Sequence, residues 1–386
     1  MARARPEVRP KRDSEGPKEH AFLRDALSRA VDRVNVRAHR TRVNFCAQEK
    51  RLNRSLSMLL FGAMLGGASM TGALAADARP ETSPMSRVTA SRIAQAAERP
   101  GETDRVVGGK QADKGAWPFQ VALLMSEKLD ESPASQPNAQ FCGGSLIAPG
   151  WVLTAAHCLY DEGAAIPAAS VTVLSDATNL GEGARHRVAA VIVHEGYSEA
   201  TLDNDIGLLQ LADPAAARII ALPSGATEDT GKVTVTGWGM MGDGTFPNDL
   251  MQADLDLQTN AACNSGIKDI YAGDLTNALM QFSGRMRYSE KGVEGARSAI
   301  AADMRDPLTA NMICAGTPTG ARDACNGDSG GPLFARGPDG RLTQVGVVSW
   351  GEGPVDASMA CGHANAYGVY TRVSNYLDWI KEKTGL

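Results

Sequence analysis

Paired cysteines at metal-ligand spacing are missing from this chain. Its seven cysteines lie far apart and none forms a C-x-x-C pair, which argues against a structural zinc site. Aromatic residues are scarce, at 5%, and none interleaves with the basic stretch at the front, so nucleic-acid binding is disfavoured. That basic character is local. Residues 1–55 carry fifteen Lys and Arg against seven Asp and Glu, whereas residues 106–386 carry nineteen against thirty-two. Long uncharged runs are also rare, with one at residues 55–76. What remains is a chain of 386 residues, 43% apolar and 22% charged. It is long enough for one large or two modest globular domains and too apolar for a disordered protein.

The uncharged run SLSMLLFGAMLGGASMTGALAA follows Lys50, Arg51 and Arg54 and ends among the small residues Ala73, Ala75 and Ala78. Basic flank, apolar segment and A-x-A site together predict a secretory signal peptide. The rival is a retained membrane anchor, since the run nearly reaches the ~20 residues that span a bilayer. Its Gly, Ser and Thr content and its cleavage-like end favour the signal. Residues 1–54 are then either a long basic leader or the product of a start codon set too far upstream. Cys46 falls before the expected cut, leaving Cys142, Cys158, Cys263, Cys314, Cys325 and Cys361. An even number suits an oxidising, extracellular or periplasmic compartment. Residues 77–105 are polar and contain Pro without a sustained apolar period, as a linker or pro-segment would be.

From residue 106 onward, short Val-, Ile- and Leu-rich runs recur between Gly, Pro, Asp and Asn clusters. They are 117–125, 144–156, 170–174, 186–193, 205–211, 232–239, 331–335, 342–351 and 368–373. Many short strands separated by turns predict an all-β barrel or sandwich. The closing SNYLDWIKEK places Val373, Tyr376, Leu377 and Ile380 on one face of a C-terminal helix. Between Cys263 and Cys314, Leu275, Ala278, Leu279, Phe282 and Met286 fit a helical face, predicting a partly helical insertion.

Residues 321–332 read ARDACNGDSGGP, one serine between two aspartates. The G-x-S-x-G pattern within it matches a nucleophile elbow, but Gly330, Gly331 and Pro332 lead into a strand-like run rather than a helix. Fewer than sixty residues remain for an acid and a histidine to follow. The other order for a serine nucleophile is histidine, aspartate, serine, far apart in sequence. WVLTAAHC ends an apolar run at His157, which Cys158 anchors, whereas His186, His194 and His363 lack such a setting. In LDNDIGLLQL, Asp205 opens an apolar strand, a costly position for a carboxylate unless it accepts hydrogen bonds from a donor such as an imidazole. Asp203, earlier in the turn, is more simply solvated.

RVVGG (105–109), GGSLIAPGWVLTAAHC (143–158), DNDIGLLQL (203–211), TGWG (236–239), MICAG (312–316), DACNGDSGGP (323–332), VSWGEG (348–353) and YGVYTRV (367–373) occur in the order of one family. On these segments, residues 105–386 resemble the trypsin/chymotrypsin family of serine endopeptidases, trypsin-like branch, of the bacterial type secreted as a zymogen. The resemblance implies two six-stranded antiparallel Greek-key β-barrels over 106–386. It also implies His157 as general base, Asp205 as its orienting carboxylate and Ser329 as the acylated nucleophile, with the N–H groups of Gly327 and Ser329 as the oxyanion hole. Asp323 would form the base of a specificity pocket with Ser349, Gly351 and Gly368 on its walls, selecting substrate Arg or Lys. Ala324 lacks a hydroxyl that helps hold Lys, which tilts the preference to Arg. Cleavage after Arg105, by the protein itself or by an activating protease, would free the amine of Val106 to pair with Asp328. The implied disulfides are Cys142–Cys158, Cys263–Cys314 and Cys325–Cys361. No metal or other cofactor is expected, and the partners are protein or peptide substrates, with a membrane involved only if 55–76 is retained. Segments 126–140, 264–311 and 352–360 are longer than usual for the family and predict a narrower specificity. A catalytically silent binding homologue is the rival, and the presence of His157, Asp205 and Ser329 argues against it.

Overall fold

The computed structural model describes Val88, residues 91–95 and residues 109–386, except 228, 318, 321, 355–360, 364 and 366. The chain divides into two units, Met1–Asp77 and Ala78–Leu386. The first lies outside the described residues, as do the expected export segment and the Arg105–Val106 junction.

Among the described residues of the second unit, thirteen strands build its two large sheets, and Tyr160–Asp161 and Ala164–Ala165 pair as a small separate ribbon. The thirteen are β1 (Lys110–Gln111), β2 (Gln120–Met125), β3 (Gln140–Ala148), β4 (Trp151–Thr154), β5 (Val171–Ser175), β6 (Ala184–Val193), β7 (Gly207–Leu211), β8 (Gly231–Gly237), β9 (Met251–Gln258), β10 (Met312–Gly316), β11 (Pro332–Arg336), β12 (Leu342–Trp350) and β13 (Gly368–Arg372). β2-β3-β4-β7-β6-β5 closes as one six-stranded antiparallel barrel. In the second sheet the order is β9-β8-β11-β12-β13-β10, β9 pairs back onto β10 to close it, and β1 adds to β9 at the edge. The expected pair of barrels is what forms.

Residue pattern explains the pairing. β9, MQADLDLQ, buries Met251, Ala253, Leu255 and Leu257 and turns Asp254 outward, the period of a sheet with one face in a core. β2 is buried along its whole length because one face fills its barrel and the other meets neighbouring structure. Val121, Leu123, Phe141, Leu153, Val173 and Leu208 fill the first barrel at zero exposure, and each side chain of this size contributes ~1.5–3 kcal/mol on burial. The barrels meet through Phe119 and Phe334, edge to face with centroids 5.2 Å apart. Two buried polar pairs also cross the junction: Ser145 Oγ donates to Gln344 Oε1 (2.6 Å) and Thr236 Oγ1 to Gln120 Oε1 (2.6 Å). Such satisfied pairs fix relative position, because displacing either barrel would strand a buried polar atom.

The three longest described helices are α1 (Asn260–Met286), α2 (Glu290–Asp303) and α3 (Leu377–Thr384). Ser289 caps α2 by accepting from Gly292 N, and Gly385 ends α3 at φ +76°. The insertion is thus a helix pair, more helical than expected. Its apolar face is not the expected one. Cys263 and Ile267, in the first turns of α1, pack against Leu308, Met312, Cys314 and Val369, while Phe282 and Met286 are 58% and 60% exposed. α1 also packs on α2, where Val293 is buried, yet that contact leaves Phe282 and Met286 uncovered. Among the described residues no helix is long and apolar enough to cross a membrane.

Candidate active site

β4 runs into the 3-10 turn Ala156–Cys158, whose neighbours Ala155 and Ala156 are buried, and Cys158 is bonded to Cys142 in β3. This fixes the backbone that carries His157. Asp205 stands two residues before β7, fully buried. Its Oδ1 accepts from His157 N (2.9 Å), and its Oδ2 meets His157 Nδ1 (2.7 Å) and Ser349 Oγ (2.5 Å). Thr371 Oγ1 donates to the Asp205 carbonyl at 2.6 Å. With its Oδ2 accepting the Nδ1–H hydrogen bond, Asp205 sets the tautomer of His157 and leaves Nε2 as the acceptor. Asp203 takes a different part: it accepts from Thr309 Oγ1 (2.8 Å) and Asn311 Nδ2 (3.2 Å), tying its turn to the segment before β10.

Ser329 lies in the turn that enters β11. Asp328 N donates to Cys325 O, Gly331 N to Asp328 O, and Gly143 N to Ser329 O at 2.8 Å. Gly327 (φ +97°) and Gly330 (φ +79°) supply the left-handed steps the turn requires. A Cβ on Gly330 would sit 2.1 Å from Thr154 Oγ1 and 2.6 Å from Gly143 O, so glycine is required there. Among the described residues, neither Gly327 N nor Ser329 N is spent on an acceptor. His157, Gly327, Ser329, Ser349, Trp350 and Gly351 line a single cleft.

Two buried carboxylates flank the serine. Asp323, 4% exposed, accepts from Ala324 N (2.8 Å) and Gly362 N (3.2 Å). Burial pushes its carboxyl up to about 7, against the pull of those two N–H groups. Among the described residues no cation pairs with it. The wall beside it is bare: a Cβ on Gly368 would come within 2.6 Å of Asp323 Oδ1. Asp328 accepts from Gly239 N (2.7 Å) and Cys325 N (3.0 Å). Burial raises it to about 6, opposed by those N–H groups and by Arg92. Glycines at 237 and 239 make room, since a Cβ on either would lie within 2.4 Å of its carboxylate.

All three expected disulfides form, Cys142–Cys158, Cys263–Cys314 and Cys325–Cys361. The two sulfurs beside His157 are therefore not metal ligands. Sequence reasoning missed Ser349 as a donor to Asp205 and Tyr271 Oη as a donor to Glu352 Oε1 (2.8 Å), which ties the insertion to the rim beside Gly351. It also missed Val88 and Ser91, which line the cleft. Only the WGEG motif carried a signal for any of these.

A family model described as Trypsin matches residues 106–296 and 284–380. The chain is 32% identical over 290 residues to transmembrane protease serine 11G of Mus musculus, covering 73% of this chain and 56% of that protein. It is 33% identical over 288 residues to trypsin of Squalus acanthias, covering 73% and 97%, and 33% identical over 291 residues to clotting factor G beta subunit of Tachypleus tridentatus, covering 72% and 80%. The chain thus spans little more than half the length of the mouse protease. These relatives are animal proteins, so the bacterial type expected from the sequence finds no support in them.

Proposed function

The chain belongs to the trypsin family of serine proteases, and from that premise we propose that it is an exported endopeptidase that cleaves after Arg, and less well after Lys, once cut after Arg105. The observation that carries the reading is the buried Asp205 carboxylate held against His157 Nδ1 at 2.7 Å, in a cleft that His157 shares with Ser329.

The chemistry follows from the proton positions. With Nδ1–H committed to Asp205, His157 Nε2 takes the Ser329 hydroxyl proton as Oγ bonds to the scissile carbonyl carbon. The carbonyl oxygen becomes an oxyanion facing Gly327 N–H and Ser329 N–H, each such donor being worth ~3 kcal/mol in the transition state. His157 then gives its proton to the leaving amine, forming the acyl-enzyme, and water repeats the sequence to release the acid. Asp205 stabilises the imidazolium without being protonated.

Asp323 supports the cationic preference. A buried carboxylate without a cation is poised to gain one, and a guanidinium offers two parallel donors to it. Asp328 supports activation: its buried carboxylate would receive the amine of Val106 and hold the oxyanion turn. Three disulfides support export to an oxidising compartment. Cleavage profiling of the Arg105-cut protein on a peptide library tests the reading. Cuts after Arg above Lys are expected, and a preference for Phe would refute the role given to Asp323.

A further inference from the structure

Arg92 lies in a helical turn, residues 91–95, well before the protease domain in sequence, yet it is only 4% exposed. Its Nη2 donates to Trp238 O and its Nη1 to Pro247 O (3.4 Å). Its guanidinium carbon stands 4.7 Å from the centre of the Phe246 ring. Gln95, one turn later, clasps the Phe246 backbone from both sides: Nε2 donates to Phe246 O (3.1 Å) and Oε1 accepts from Phe246 N (2.5 Å). Burying a guanidinium is costly unless carbonyls, a ring face or an anion replace its water. All three are present, because Asp328 is close enough to counter the effect of burial, which lowers Arg92 to about 9.

Val88 and Ser91 line the cleft, and Val88 Cγ1 lies 3.5 Å from where a Cβ on Gly327 would be. Val88, Met240 and Phe246 line this cleft together with Ser329, and Val88 and Phe246 both stand beside Gly327. We propose that the carbonyls of Trp238 and Pro247 and the ring of Phe246 form a guanidinium site for Arg92, which holds the N-terminal segment as an inhibitory peptide across the leaving-group side of the cleft. The proposal rests on the serine endopeptidase reading. All three disulfides lie beyond residue 141, so none of them ties the segment to the domain after a cut at Arg105, and among the described residues it is the contacts of Val88, Arg92 and Gln95 that hold it.

Two measurements test this. In the full chain cut after Arg105, hydrolysis of a short Arg ester is compared with that of an Arg peptide extended by several residues past the scissile bond. Arg92→Ala is expected to raise the ratio of kcat/KM for extended peptide over ester about tenfold, through KM. An unchanged ratio overturns the proposal. Independently of catalysis, a fluorescent peptide of residues 84–98 is titrated into the cut full chain carrying Arg92→Ala and Ser329→Ala. Saturable binding, weakened about tenfold when the peptide itself carries Arg92→Ala, is expected. No binding, or equal binding by both peptides, overturns it. If both substrates are inert while the peptide binds, the enzyme reading fails and the guanidinium site stands.

Discussion

Asp323→Asn is expected to make the protein more stable and less useful. A carboxyl held at about 7 in the fold, against its ordinary 3.8, binds protons more tightly folded than unfolded. Its ionisation therefore works against folding: nothing is lost below the unfolded value, the loss grows between about pH 4 and 7, and it is complete above. At ~1.36 kcal/mol per pH unit the full loss is on the order of 4 kcal/mol. Asparagine removes the charge but leaves one of the two N–H donors, Ala324 or Gly362, without an acceptor, at ~1 kcal/mol. The net expectation is a gain of about 3 kcal/mol at pH 8 that disappears by pH 4. Urea unfolding of the disulfide-intact chain, in a Ser329→Ala background to prevent self-digestion, measures it. Equal stability of the two proteins at pH 8, or a gain that does not depend on pH, would refute the argument that Asp323 is a buried carboxylate awaiting a cation.

Asp205→Asn keeps the shape but presents an amide to His157 Nδ1, favouring the wrong tautomer; kcat should fall about 10⁴-fold with little change in KM, read from steady-state peptide hydrolysis. Gly368→Ala places a Cβ 2.6 Å from Asp323 Oδ1, so kcat/KM for Arg peptides should fall about a hundredfold while peptides with small residues before the bond are spared.

Strands were legible where apolar runs were long and bounded by turn residues, as in 186–193 and 342–351. β9 and β10 were harder. Asp254 and Asp256 interrupt the first of these, and MICAG in the second is only five residues with no polar alternation. The insertion shows a limit of periodicity: Phe282 and Met286 sit at helical spacing, but spacing does not say whether a neighbour exists to cover them. Serine, histidine and aspartate stood out because each lies in a motif with its own local geometry. Arg92 did not, since its acceptors are backbone carbonyls 146 and 155 residues away, and a carbonyl leaves no trace in the side-chain code. Ser349 was read as a wall of the pocket, and its 2.5 Å contact with Asp205 gives it a second partner that only folding brings within reach.

Labelling with a fluorophosphonate, followed by peptide mass analysis of the Arg105-cut protein, tests the central claim most directly. One adduct, on Ser329, abolished by His157→Ala, is the predicted result. No adduct, or an adduct on another residue that survives His157→Ala, would contradict it.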